Sequence, residues 1–322
     1  MKELRQNERK AAVMGVVYHK EFSDYFSSLR FFLVLAILLA TSVVGAVGAM
    51  ATIRDFSETY SGEYIFLYLF TGSNNILPSV VSFLSYLGPI VGIVLGFDAI
   101  SSERNNGTLS RILSLPIYRD TLINAKALSG VSVIGIIVLT VSAVVSGLGM
   151  AVCGIMPLAS ELIRVALFML FTVVYIAFWM CLAMLFSILF RQATVSILCG
   201  LSTWLASSVF IPLFAQAFAS WLFPTGTQAT QEALYQNQLV QFYLLKLSPS
   251  NLYTEAVNII LNPMIRTAGP MSTVQFDGML AGFLSIPQSL SLIWAQFVGL
   301  LALASVCFAL SYILFSRQEI RA

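Results

Sequence analysis

A chain of 322 residues with 58% hydrophobic and only 10% charged side chains is too apolar to exist as a water-soluble globule. Its net charge of +2 says less than where the charges fall, because they cluster between long uncharged runs. Runs of about 20 apolar residues match helical spans, and they lack the alternation of a barrel, so the fold class is an all-α polytopic membrane protein.

Residues 8–30 mix Val13, Val16, Val17, Phe22, Tyr25, Phe26 and Leu29 with Glu, Lys and Asp, a pattern that predicts an amphipathic helix lying in the membrane interface. His19, the only histidine, sits there beside Lys20 and Glu21 and reads as a solvent-facing helix residue. No cleavage site follows the first apolar run, so a removable signal peptide is not expected. The first span is 31–53, between Arg30 and Arg54, and is followed by a loop at 54–78 with Tyr60, Tyr64 and Tyr68 at interfacial depth. The second is 79–99. A charged segment comes next, and the third span, 124–150, follows Pro116 with Asp120 placed to cap its helix. Spans four and five, 162–189 and 193–214, are separated by a short turn at Arg191, and the sixth is 289–315. Between the last two, 216–288 holds two short helical stretches, Ala233–Leu247 and Leu252–Leu261, expected to be re-entrant or to lie on the outer face.

Six spans put both termini on one side. Arg54, Arg164, Lys246 and Arg266 then fall on the other, leaving 13 of the 17 basic residues with the termini, which are expected in the cytosol of a cell-membrane protein. The chain reads as one transmembrane unit over 1–322, without internal repeats.

The segment Ile100-Ser-Ser-Glu-Arg-Asn-Asn-Gly-Thr-Leu-Ser-Arg-Ile-Leu-Ser-Leu-Pro-Ile117 carries the sharpest signal. After Gly107, Thr108 can cap a short helix on which Leu109, Ile112 and Leu113 share a face, until Pro116 stops it. Glu103, Arg104 and Arg111 rim that stripe with both signs of charge, as a docking surface requires; the competing reading is a loop packed on its own spans. In the preceding span Gly88, Gly92 and Gly96 recur every fourth residue and allow close helix approach, within this chain or to another.

Catalysis finds no residues. There is no Gly-x-x-x-x-Gly-Lys-Ser/Thr to hold ATP, and one histidine with four dispersed cysteines (Cys153, Cys181, Cys199, Cys307) supports neither a zinc centre nor a Cys-His nucleophile. Met169, Met180 and Met184 read as packing residues rather than a Cu(I) site. No charge lies at the centre of a predicted span, which disfavours an ion-coupled carrier.

The stretch Gly96-Phe-Asp-Ala-Ile-Ser-Ser-Glu-Arg-Asn-Asn-Gly-Thr-Leu-Ser-Arg-Ile-Leu-Ser-Leu-Pro-Ile-Tyr-Arg119 resembles the signature of type-2 ABC transporter permeases, closest to the branch with the permease for nitrous oxide reductase maturation. The outer section 216–288 is longer than that branch implies. The resemblance implies an elbow helix at 8–28, a coupling helix at 103–115, and short outer helices at 230–262. It also implies two cytosolic ATPase subunits, which would hold ATP and Mg, and a second permease, identical or not. This chain would bind no cofactor of its own and no nucleic acid. Spans two and five line the substrate path in such permeases, which here points to Ser82, Ser85, Tyr86, Ser196, Thr203 and Ser207. The expected function is export of a hydrophobic or amphipathic substrate; the alternatives are a membrane scaffold or maturation subunit, or an ion-coupled transporter.

Overall fold

The structure, a computed structural model, describes residues 2–55, 64–74, 77–107, 119–226, 230–267, 269–270 and 282–317. All regular structure among them is helical. Helix α1 (Lys2–Ser27) runs along one end of the bundle, longer than the 8–28 helix expected. The chain turns at Ser28, whose Oγ accepts from the Phe31 N–H at 3.3 Å, and enters α2 (Leu29–Asp55). Short α3 (Ile65–Thr71) buries Phe66, Leu67, Leu69 and Phe70 at the opposite end. There follow α4 (Val80–Gly96), α5 (Ser101–Asn105), α6 (Arg119–Cys153) and α7 (Ala159–Leu189). Then come α8 (Ala193–Leu205), a π-helical turn at Ala206–Phe210, α9 (Ile211–Leu222), α10 (Gln231–Leu245), α11 (Pro249–Leu261) and α12 (Ile286–Arg317).

Among the described residues, six helical stretches are long and apolar enough to cross a membrane: Leu29–Ile53, Val80–Asn105, Arg119–Cys153, Ala159–Leu189, Ala193–Leu222 and Ile286–Arg317. They coincide with the six expected spans, with shifted ends. Residues 216–222 continue the fifth span instead of opening the outer segment, because Ala215 and Ala219 stay packed and prolong the helix. Asp120 lies inside the first turn of α6 rather than before it, where a carboxylate still faces the positive helix end.

Helix α7 forms the centre of the bundle, with Phe168, Tyr175, Trp179, Met180 and Met184 fully enclosed. The glycine face of α4 explains how closely its neighbour approaches. A Cβ on Gly92 would lie 2.5 Å from the Ile176 carbonyl oxygen, one on Gly96 would meet the Met180 carbonyl, and one on Gly88 would press Ile176 Cγ1 at 3.3 Å. All three contacts are to α7, so this stripe packs inside the chain.

The fifth span carries a local irregularity with an identifiable cause. Pro212 has no N–H to return to the carbonyl four residues back, and the turn before it widens: Ile211 donates to the Ala206 carbonyl, five residues away. Ser208, on that wide turn, has its Oγ 3.0 Å from Ser250 Oγ at the start of α11. Ser250 Oγ is also 2.9 Å from the Tyr175 hydroxyl, which donates to the Ser85 carbonyl at 2.8 Å. Since Tyr175 lies halfway along α7, α11 starts at mid-bundle and climbs back out. It dips into the bundle and returns to the same end. Arg164, 1% exposed, holds its far end by donating to the Ile260 carbonyl at 2.8 Å and the Leu284 carbonyl at 2.6 Å.

Candidate functional site

The charged segment leaves α4 through a backbone whose N–H groups are taken up by a neighbour. Ser187 Oγ, near the end of α7, accepts from the Ile100 and Ser101 N–H groups, each at 3.0 Å, and donates to Ser101 Oγ at 3.2 Å. Just before it, Asp98 is ion-paired to Arg30 at the start of α2, and Leu95 accepts from the Tyr25 hydroxyl of α1 at 3.1 Å. These bonds fasten the exit of the second span to α1, α2 and α7.

Lys126 adds a fourth attachment. Its ammonium is buried at 6% exposure, 2.8 Å from Glu103 Oε1 and 2.7 Å from Glu21 Oε2. Lys20 in turn pairs with Glu21 at 2.9 Å and with Asp24 at 3.0 Å. Charge alternates along Lys20, Glu21, Lys126 and Glu103, which is how ionised side chains tolerate burial. Burial alone would raise the Glu21 carboxyl, but the Lys126 and Lys20 ammonium groups outweigh it and hold the carboxyl below its ordinary value. One buried cation thus joins α1, α5 and α6.

Of the proposed docking residues, Glu103, Arg104 and Gly107 fall on α5 and the turn after it. Thr108, Leu109, Arg111, Ile112, Leu113 and Pro116 lie outside the described residues. Gly107 has φ +66°, a left-handed conformation that glycine adopts without strain, and space remains open around it.

The candidate path residues do not converge within one chain. Ser82 and Ser85 are turned inward, Ser82 to the Ser79 cap at 2.9 Å and Ser85 to Thr254 at 3.4 Å. Ser196 is buried and bonds the Ala183 carbonyl, while Thr203 and Ser207 return their hydroxyls to Cys199 and Trp204 of their own helix. Tyr86 is 62% exposed on the flank of the bundle. Among the described residues, no group of three or more His, Cys, Asp or Glu side chains could hold a metal ion.

Sequence reading missed the role of Lys126, although a lysine two residues inside the predicted span 124–150 was itself a signal. Arg164, two residues inside 162–189, was another. Nothing local marks Ser187 or Tyr175, whose partners are distant in the chain.

Residues 16–320 match the ABC-2 family transporter protein model from one end of the bundle to the other. The chain belongs to the ABC-2 family. No curated protein matches it. Membership makes it a transport permease, and ABC-2 permeases are membrane subunits that work with separate ATPases. Nothing in the match singles out the nitrous oxide reductase maturation branch.

Proposed function

We propose that this ABC-2 permease exports a hydrophobic or amphipathic substrate by alternating access, driven by two cytosolic ATPase subunits that dock on 103–115. A second permease completes the pathway, with both termini in the cytosol of a cell-membrane protein. Glu103, Arg104, Gly107, Thr108, Leu109, Arg111, Ile112 and Leu113 form the docking element, and Pro116 ends it.

The observation that carries this reading is the Lys126 bridge between Glu103 and Glu21. A segment joined only by its chain ends would swing without moving the spans. One fastened through Lys126, Ser187 and Arg30 takes α1, α6, α7 and α2 with it when pushed. In this arrangement α1 is the elbow helix, and α5 begins the coupling element. The transported molecule passes between the two permeases, with Tyr86 and Thr203 the path residues best placed to meet it.

Gly107→Val tests the docking. A β-branched side chain resists positive φ, at a cost of roughly 1–2 kcal/mol, and it distorts the docking turn without touching the bundle. Purification of the tagged variant from native cells is expected to recover a monodisperse permease with its ATPase largely lost. Gly226→Ala, in open space, should leave recovery unchanged. Full stoichiometric ATPase with undiminished ATP-dependent activity in Gly107→Val would overturn the docking assignment.

A further inference from the structure

Glu255 falls in Leu252–Leu261, the helical stretch that the sequence leaves re-entrant or on the outer face, and the fold draws it inward. It sits on α11, a turn and a half beyond Ser250, which reaches the midpoint of α7 through Tyr175. An ionisable group at such depth is costly and therefore marks function. Glu255 Oε1 is buried without a hydrogen-bond partner, and so is Oε1 of Gln296, the 2%-exposed α12 residue that abuts the carboxylate. The Gln296 amide hydrogen-bonds toward the carboxylate, yet one oxygen of each side chain keeps no donor. A cation beside the half-buried carboxylate would offset the cost of removing it from water.

The same carboxylate lines a cavity of about 330 Å³ between α10, α11 and the chain just after α11. That is the lower end of the usual range for small-molecule sites. Lys246 lines it as well, with its ammonium 4.4 Å from the centre of the Phe242 ring and no carboxylate ion pair among the described residues. Asn251, Thr254 and Asn258 supply neutral polar groups. The cavity therefore presents one negative and one positive group that are near each other but not joined in an ion pair, with exposed Tyr243 and Leu247 beside it.

We propose that this cavity binds a zwitterion with a primary ammonium and a phosphate, the ammonium against Glu255 and the phosphate against Lys246, as in an aminophospholipid headgroup. A protonated amine brings both N–H donors for those oxygens and a positive charge for the carboxylate. Apolar chains of such a lipid would lie along Tyr243 and Leu247. Binding needs no ATPase, so this site stands or falls separately from the docking of 103–115.

The test is binding to the purified full chain in detergent at neutral pH. The probes are dihexanoyl phosphatidylethanolamine, its choline and glycerol counterparts, and soluble phosphoethanolamine. The ethanolamine lipid is expected to bind roughly tenfold tighter than the choline lipid, whose methylated nitrogen cannot donate, a ratio in line with loss of a charge-assisted hydrogen bond. The glycerol lipid, without an ammonium, should bind weakly. Glu255→Gln should erase the ethanolamine preference, and Lys246→Gln should weaken ethanolamine and choline lipids alike. If Glu255→Gln aggregates, the Lys246→Gln result carries the test. Phosphoethanolamine binding as tightly as the lipid would support the headgroup site and assign it to a soluble zwitterion. Equal binding of all three lipids, or an ethanolamine preference that survives Glu255→Gln, would overturn the proposal.

Discussion

Lys126 holds two carboxylates from elements that are far apart in the chain, and its removal would take the shared buried cation from both, leaving Glu21 with Lys20. Breaking a buried ion pair by deleting one partner costs about 3–5 kcal/mol, far more than an exposed pair is worth. Lys126→Met is therefore expected to lower the unfolding free energy of the purified chain by about 3 kcal/mol, read by thermal unfolding in detergent. Adding Glu21→Gln and Glu103→Gln should restore much of that loss, since no unpaired charge remains. The same cluster predicts an acid limb. Because the folded Glu21 carboxyl is held below its ordinary value of 4.5, its contribution is fully present above that pH and is lost as pH falls through the lower folded value. A melting-temperature profile should decline in that acid window, and Lys126→Met should flatten the decline. An identical acid limb in the variant would mean that Glu21 draws its stability from elsewhere.

At the scale of elements, the contact of α4 with α7 rests on missing side chains. A Cβ at Gly92 would strike a backbone oxygen at 2.5 Å, and backbone cannot swing aside as a flexible side chain can. Gly92→Leu should force the helices apart, with a cost at or above the roughly 1–3 kcal/mol typical of overpacking. Gly135 on α6 has no neighbour within 4 Å, so Gly135→Ala should be neutral or slightly stabilising by helix propensity. Equal thermal stability of the two variants would remove the packing role of the stripe. The π-helical turn works in the opposite sense: it loosens the fifth span next to α11, where Ser208, Ser250 and Tyr175 meet. Wide turns of this kind recur at functional positions, and this one lies where the fifth span could change shape without unwinding.

The whole molecule presents an uneven surface. Helices α4 and α7 are enclosed, whereas α8 and α9 expose Leu198, Leu205, Phe210, Leu213, Phe214 and Trp221, to lipid or to another chain. ABC-2 permeases function in multi-subunit transporters, and one six-span chain is small for a two-sided pathway. Mild-detergent purification from native cells should yield two permeases with two copies of a P-loop ATPase, measured by native mass and ATP hydrolysis on one sample. A monodisperse permease recovered alone, with no ATPase under any mild condition, would favour a scaffold over an ATP-driven exporter.

Much of the fold was legible because membrane spans are written in composition: a bilayer core demands long apolar helices, and each of the six stretches shows itself within a window of its own residues. The glycine spacing likewise marked a close-packed face, although spacing says nothing of which helix fills it. The docking segment announced itself by charge and turn chemistry at 100–107, while most of its apolar stripe falls outside the described residues. Lys126 counted, by sequence, only as one more basic residue near the membrane; its partners are 105 positions away at Glu21 and on α5 at Glu103. Glu255 belonged to a helical stretch that the sequence left re-entrant or on the outer face, because local hydropathy does not say how far such a helix reaches inward. Composition and local pattern by themselves determined the class and the six long apolar helices, since these depend on interactions of residues with lipid and with near neighbours. Only the tertiary structure decided that α7 receives the glycine face, how far α11 reaches into the bundle, and which charges share a cavity, because those outcomes depend on contacts between residues that the chain itself keeps far apart.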